Sequence, residues 1–168
     1  QSAQDPLMLE TFSPDDRVAA GAFRALSLLE IAIPTRLGSA SRTEIIVWWL
    51  SDERSGSARA EACKYIGFVG GVTDLDLVDI EYDRAHYETS RTALEVLLRI
   101  RFRHDETNAL EYALSMPFET IDEPLLKRIL SADGAASTET LRLGMQHKNR
   151  LVRLESIKRL GAIEPISN

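Results

Sequence analysis

The carboxylates most able to do chemistry lie in one acidic stretch, Asp74 to Asp83. Five acids interleave there with apolar residues: Asp74, Asp76, Asp79, Glu81 and Asp83 alternate with Leu75, Leu77, Val78 and Ile80. Calcium loops also space their carboxylates closely, but this stretch lacks their central glycine and their closing bidentate glutamate. The simpler interpretation is an amphipathic helix with a solvated acidic face. The functional alternative is a contact strip for a basic peptide, formed by Asp74, Asp76 and Asp79.

Residues that bind metals or act as nucleophiles are few and scattered. The three histidines, His86, His104 and His147, are spread along the chain, which contains no HExxH, Walker A or GxSxG motif. The single cysteine, Cys63, occupies a position that is apolar in related segments of the chain, which predicts a buried thiol. We therefore expect no metal, no cofactor and no catalytic residue.

Aromatic residues provide a second set of candidate contacts. Trp48 and Trp49 are adjacent, so on a helix their side chains point about 100° apart. We expect one ring to be buried and the other partly exposed, either as an anchor for a partner or as a wedge between repeats. Glu111 and Tyr112, on another predicted helix, complete the candidate partner-binding residues.

Composition and charge limit the function classes. The 168 residues carry a net charge of −6, which argues against a general nucleic-acid binder. Residues 138–168 are an exception, with six basic and three acidic residues. A lone cysteine favours a reducing compartment, so we expect a cytoplasmic protein, and no apolar run is long enough for a membrane span. Because the chain opens on Gln1, we also expect it to be either a processed form or part of a longer polypeptide.

The elements that position these residues repeat along the chain. The segment Asn149 to Ile163 matches Ser57 to Val69 at identical spacing, and a weaker third copy lies at Gly21 to Leu29. The matched pairs in the two stronger copies are Arg59 with Arg153, Glu61 with Glu155, Lys64 with Lys158, Ile66 with Leu160, and Gly67 with Gly161. Repetition at this scale predicts stacked helical units.

Apolar periodicity and capping residues predict nine helices after a lead-in of little structure at residues 1–12. They form four antiparallel hairpins and one unpaired helix: 15–33 with 42–52, 57–69 with 73–81, 86–103 with 106–115, 122–131 with 137–147, and 149–162 alone. Residues 13–168 are predicted to form one domain. In the unpaired helix we expect four apolar residues to lie against the helix at 137–147; they are Leu151, Leu154, Ile157 and Leu160.

The segments VRLESIKRLG and ARAEACKYIG resemble the first helix of HEAT repeats, which has an apolar–Arg–x–x–Ala pattern and a later Leu-Gly. RVAAGAFRAL and SRTALEVLLRI fit this pattern in part, and the pair at 122–147 does not fit it. The resemblance implies an all-α fold, a right-handed α-α superhelix of about four and a half antiparallel hairpins. It also implies a concave binding surface lined by the second helix of each hairpin.

These patterns favour a non-catalytic scaffold that binds a protein or peptide, including one with a basic segment, through its concave surface. One alternative is a HEAT-like enzyme acting on nucleic acid or on a protein-bound cofactor. Some HEAT-like proteins are DNA glycosylases, and the chain has two basic clusters, one around Arg99 to His104 and one around Arg142 to Arg159. A second alternative is a spacer in a larger polypeptide. The sequence leaves the partner and the oligomeric state open.

Overall fold

The computed structural model describes residues 4–84 and 87–163, and most of these are helical. They form ten α-helices: α1 Gln4–Glu10, α2 Asp16–Leu28, α3 Arg42–Trp49, α4 Gly56–Val69, α5 Leu75–Arg84, α6 Tyr87–His104, α7 Glu106–Ser115, α8 Glu123–Leu130, α9 Thr138–Gly144 and α10 Arg150–Ile163. Two short strands, β1 Arg36–Leu37 and β2 Ala40–Ser41, pair antiparallel, and a 3-10 turn covers Val72–Asp74. The prediction of an all-α protein is confirmed.

The lead-in differs from the sequence prediction because it contains α1. Pro6 lies in the first turn of this helix, where a missing backbone N–H costs little. Met8 is buried, and the Thr11 hydroxyl accepts a hydrogen bond of 3.0 Å from Nε1 of Trp49. The lead-in is therefore ordered by tertiary contacts that its weak local pattern does not indicate.

Side-chain caps set where most of the helices begin. Ser41 and Glu44 form a capping box: the Glu44 amide donates to the Ser41 hydroxyl, and the Ser41 amide donates to the Glu44 carboxylate. Asp105 caps α7, and the Asn149 side chain accepts from the Leu151 amide at the start of α10. Local sequence thus determines the helix starts.

The chain divides into two compact units, Gln1–Ile100 and Arg101–Asn168, and the division falls inside α6. The core of the first unit centres on an aromatic cluster. The ring of Trp49 contacts Phe23 and Tyr65 edge-on, with centroids 5.1 and 5.7 Å apart. All three side chains are fully buried, so this cluster joins α2, α3 and α4.

Within the first unit, α2 and α4 run in the same direction. The Ser55 amide before α4 donates to Asp16 at the start of α2. Arg24 and Glu61 form an ion pair midway along both helices, and the Tyr65 hydroxyl donates to the Ile31 carbonyl beyond the end of α2. Parallel packing places two related segments side by side in equivalent orientations.

Helices of the second unit also pack in parallel pairs. The Ser137 amide before α9 donates to Glu111 of α7, while Gly144 at the end of α9 lies against Leu114 near the end of α7. The start of α10 contacts the segment before α8 through Asn149 and Glu119, and Arg159 near its end reaches the end of α8. The pairs α7 with α9 and α8 with α10 are therefore each parallel.

Candidate functional site

Asp74, the first residue of the predicted acidic strip, is a structural ion-pair residue. It is buried, and Arg42 of α3 donates two hydrogen bonds to it, from Nη2 at 2.6 Å and from Nε at 3.0 Å. The same carboxylate accepts from the Gly71 amide at 2.9 Å. The hydrogen bond to Asp74 raises the pKa of Arg42. Asp74 therefore ties the start of α5 to α3, and its carboxylate is turned away from solvent.

The other two predicted strip residues remain at the surface of α5. Asp76 is exposed and Asp79 is half-buried. Ile80, four residues after Asp76 and thus on the same helix face, is 50% exposed. We call Asp76, Asp79 and Ile80 the α5 strip. It combines carboxylates with an apolar side chain, and it can contact a partner group that carries both positive charge and apolar surface.

Glu81, the fourth acid of the run, lies inside the first unit. Its side chain is almost fully buried, and Nε of Arg59 lies 3.5 Å from its carboxylate. Arg59 also donates to Asp52 at 2.8 Å. The guanidinium thus connects the segment before α4 with α5, and the acidic run contributes two of its carboxylates to the interior.

The tryptophan pair divides as predicted, with Trp49 buried and Trp48 partly exposed. The Trp48 ring stacks on Phe12 at 4.7 Å, and the guanidinium of Arg54 lies 4.6 Å from the ring centroid. These contacts already use much of the ring surface, which favours a packing role. Binding of a partner at Trp48 remains a prediction.

Glu111 and Tyr112 lie on α7, in the second unit, whereas the other five candidates belong to the first. Glu111 accepts from the amide of Ser137, the residue that caps α9. The guanidinium of Arg101 lies 4.2 Å from the Tyr112 ring centroid and donates to Asn108 at 2.9 Å. Both candidates thus organise the second unit, and both keep partly exposed side chains.

The cysteine and the histidines, which are the residue types able to act as nucleophiles or bind metals, are not gathered into a reactive site among the described residues. Burial raises the pKa of the Cys63 thiol and keeps it protonated, which confirms the prediction of a buried cysteine. His86 lies outside the described residues, and His104 is exposed. Among the described residues, no group of three or more His, Cys, Asp or Glu side chains is arranged to hold a metal ion.

His147 has two backbone partners that fix its neutral form. Its Nε2–H donates to the Met116 carbonyl at 2.6 Å, and its Nδ1 accepts from the Asn149 amide at 2.9 Å. Burial is the main cause that lowers its pKa, and the nearby charge of Arg153 adds to the effect. The imidazole joins the segment before α8 to the start of α10.

Arg159 is a structural residue that the sequence did not identify. Its guanidinium donates to the carbonyls of Leu130, Ala132 and Gly134 at 2.8, 2.7 and 2.6 Å, where α8 ends. Helix ends leave such carbonyls without intrahelical partners, and a guanidinium offers five donors to satisfy them. No local signal could find this role, because the carbonyls lie 25 to 29 residues away along the chain.

The predicted burial of the apolar stripe of α10 is wrong at Leu154 and Ile157, whereas Leu151 and Leu160 are half-buried. Val152 and Ser156 are the residues of this helix that the fold buries, while Leu154 and Ile157 are 51% and 53% exposed. Gly144 of α9 approaches Ser156 so closely that a methyl group at Gly144 would overlap the Ser156 hydroxyl. The helices meet through small residues because these allow close approach, and this turns the larger apolar side chains outward.

Comparisons with known proteins add no family to these observations. No protein-family model matches the chain, and neither a curated protein nor a solved structure matches it. Among the described residues, no helix is both long enough and apolar enough to cross a membrane.

Proposed function

We propose that this protein is a non-catalytic helical-repeat scaffold of the HEAT-like type, which binds a basic segment of a partner protein through its second helices. In this arrangement α2, α4, α6, α8 and α10 are the first helices of successive repeats, and α3, α5, α7 and α9 are the second helices. The scaffold presents a surface and performs no reaction.

Parallel packing of alternate helices supports the repeat arrangement. The helices α2 and α4 are related by sequence and run side by side in one direction. The pairs α8 with α10 and α7 with α9 also run in one direction, although their sequences do not share the pattern. Stacked repeats require this relation, because equivalent helices of neighbouring repeats must face each other with equivalent orientation.

The observation that carries the binding proposal is the α5 strip. Asp74 and Glu81 are buried in ion pairs, whereas Asp76 is exposed and Asp79 is half-buried on the same helix as the half-exposed Ile80. Residues 1–100 contain sixteen acidic and ten basic residues, so the strip lies in an acidic unit. Such a field attracts a basic ligand, and an apolar side chain beside the carboxylates can fix its position.

Selection from a random peptide library on the immobilised chain tests this proposal. We expect enriched peptides that place Lys or Arg next to an apolar residue. Their affinity should fall about tenfold or more when both Asp76→Arg and Asp79→Arg are introduced, and it should weaken as salt screens the charges.

The matched control is Glu53→Arg, which reverses an exposed acid of the same unit outside α5. Its effect on affinity should be small. Equal binding of the enriched peptides to the reversed α5 strip would contradict the proposal, as would the recovery of peptides without basic residues.

A further inference from the structure

One face of α10 is apolar and exposed, although the fold buries two of its three counterparts on α4 and half-buries the third, Ala60. It consists of Leu154, Ile157 and Gly161, which follow one another at helical spacing, and we call it the outer face of α10. Beside it, Leu151, Leu154 and Lys158 form one wall of an open depression of about 280 Å³, whose other wall includes Leu130 of α8. Large apolar side chains gathered on one helix face are typical of an interaction surface.

In the related helix α4, the equivalent face is covered, and the covering element can be identified. The counterparts of Ile157 and Gly161 are Cys63 and Gly67, and both are buried. Gly67 lies directly under Val96 of α6, so that an added methyl group would stand 2.9 Å from a Val96 methyl. A neighbouring helix therefore covers this face in α4, and the glycine allows it to approach closely. At Gly161 an added methyl group would meet nothing within 4 Å.

The charge around the outer face indicates the chemistry of a helix that could dock there. Within α10 there are four basic residues and one acidic residue. Lys158 and Lys127 on the two sides of the depression keep 78% and 62% of their side chains exposed, and Lys127 pairs with Glu123 of its own helix at 2.6 Å. Glu155 is largely covered and is paired with both Lys158 and Arg159. The apolar face thus lies within a basic border, which favours carboxylates on the element that docks there.

We propose that the outer face of α10 is a docking site for an acidic amphipathic helix of a partner protein. That helix places a β-branched residue over Gly161, as Val96 lies over Gly67, and an apolar stripe along Leu154 and Ile157. Its Asp and Glu residues flank the stripe and pair with Lys127, Arg150 and Lys158. This site is distinct from the α5 strip and takes a ligand of opposite charge.

The probe for this site is a designed 18-residue helical peptide with a Val and Leu stripe flanked by Glu. A second peptide keeps the stripe and replaces each Glu with Lys. We expect the Glu peptide to bind the full chain at least tenfold more tightly than the Lys peptide, with an affinity that falls as salt rises. Equal binding of the two peptides, or no binding of the Glu peptide, overturns the proposal.

Variants of the chain locate the bound peptide. Ile157→Glu introduces a good helix former at an exposed position, so it should leave the circular dichroism spectrum unchanged while it reduces binding of the Glu peptide at least tenfold. Gly161→Ala should make the chain more stable and still weaken binding several-fold, because the added methyl group keeps the docked helix at a distance. If Gly161 affected only the stability of α10, Gly161→Ala would stabilise the chain without weakening the binding of the Glu peptide.

Two controls complete the test. Leu28→Glu replaces an exposed leucine of the first unit and should leave binding of the Glu peptide unchanged. Sedimentation of the free chain tests a second copy as the occupant: a dimer that Ile157→Glu converts to a monomer would overturn the assignment to a partner protein. The two proposals are tested separately, because the variants of α10 leave the α5 strip intact. A failure of basic peptides to bind the α5 strip would therefore not change the result for the Glu peptide.

Discussion

The helices α4 and α10 carry the same pattern but have different surroundings. Arg59 and Arg153 occupy equivalent positions, and each guanidinium binds the segment that precedes its own helix. Arg59 reaches Asp52, and Arg153 donates to the carbonyls of His147 and Lys148 at 2.6 Å. The arginine of this repeat pattern therefore fastens a helix to the preceding connection in both places.

The remaining positions differ because the neighbours differ. Ala62 and Ser156 are both buried, so the inner face is equivalent in the two helices. The opposite face is covered in α4, where Val96 contacts Gly67, and it is open in α10. The repeat pattern thus defines a surface that is suited to a helix, and the rest of the fold decides whether a helix occupies it.

Between the two helices, we expect the largest difference in the free energy of unfolding when Arg59 and Arg153 are replaced. Arg59→Met removes the cation next to the buried Glu81 carboxylate, and breaking such a pair typically costs about 3 kcal/mol or more. Arg153→Met removes hydrogen bonds to backbone carbonyls only, with an expected cost of about 1–2 kcal/mol. Denaturant titration measures both: tryptophan fluorescence reports the first unit, where both tryptophans lie. Circular dichroism reports the helices of both units, so unfolding of the second unit is the part of its change that the fluorescence does not follow.

Equal costs for the two arginine variants would contradict the comparison. They would mean that Arg59 contributes mainly through the preceding segment and that its contact with Glu81 adds little. The double variant Arg59→Met with Glu81→Gln separates these contributions, because neutralising the carboxylate should recover part of the lost stability.

Replacing Gly67 and Gly161 by alanine should change the stability of the chain in opposite directions. Gly67→Ala places a methyl group against Val96, whose branched side chain adjusts poorly, and overpacking of this kind costs about 1–3 kcal/mol. Gly161→Ala fills open space and should stabilise the helix by up to about 1 kcal/mol. The midpoint of thermal unfolding should therefore fall for the first variant and rise for the second. A fall for both would show that α10 is also covered at this position.

The smallest expected effect concerns pH at the start of α10. The folded protein lowers the pKa of His147 from its ordinary value of 6.5, because burial disfavours the charged ring. Below about pH 6.5 the unfolded chain therefore takes up a proton that the folded chain resists, so His147 contributes stability above this pH and loses it as the pH falls. His147→Gln should remove this part of the pH dependence between pH 7 and 5, as measured by urea unfolding.

A flatter profile for the wild-type chain than for His147→Gln would refute this assignment. Glu53, the residue before α4 at the equivalent position, is exposed, and Glu53→Gln serves as the matched control in the same titration. It should leave the profile between pH 7 and 5 close to that of the wild type.

Much of the fold follows from local patterns. Helix starts at Ser41, Asp105 and Asn149 are readable because a side-chain cap and its amide lie within three residues of each other. The candidate site was less accessible to sequence reasoning. Asp74 and Asp76 look alike in the sequence, but Arg42, 32 residues earlier, makes one of them internal and leaves the other exposed.

The sequence by itself determined that the chain is helical, where most helices begin, and that Asn149 to Ile163 repeats Ser57 to Val69. These features depend on short-range hydrogen bonds and on residue spacing, which the order of amino acids contains directly. The tertiary structure alone decided that Cys63 and Gly67 are covered while Ile157 and Gly161 are open. Burial depends on which element packs alongside, and at Gly67 that element is α6, some thirty residues further along the chain.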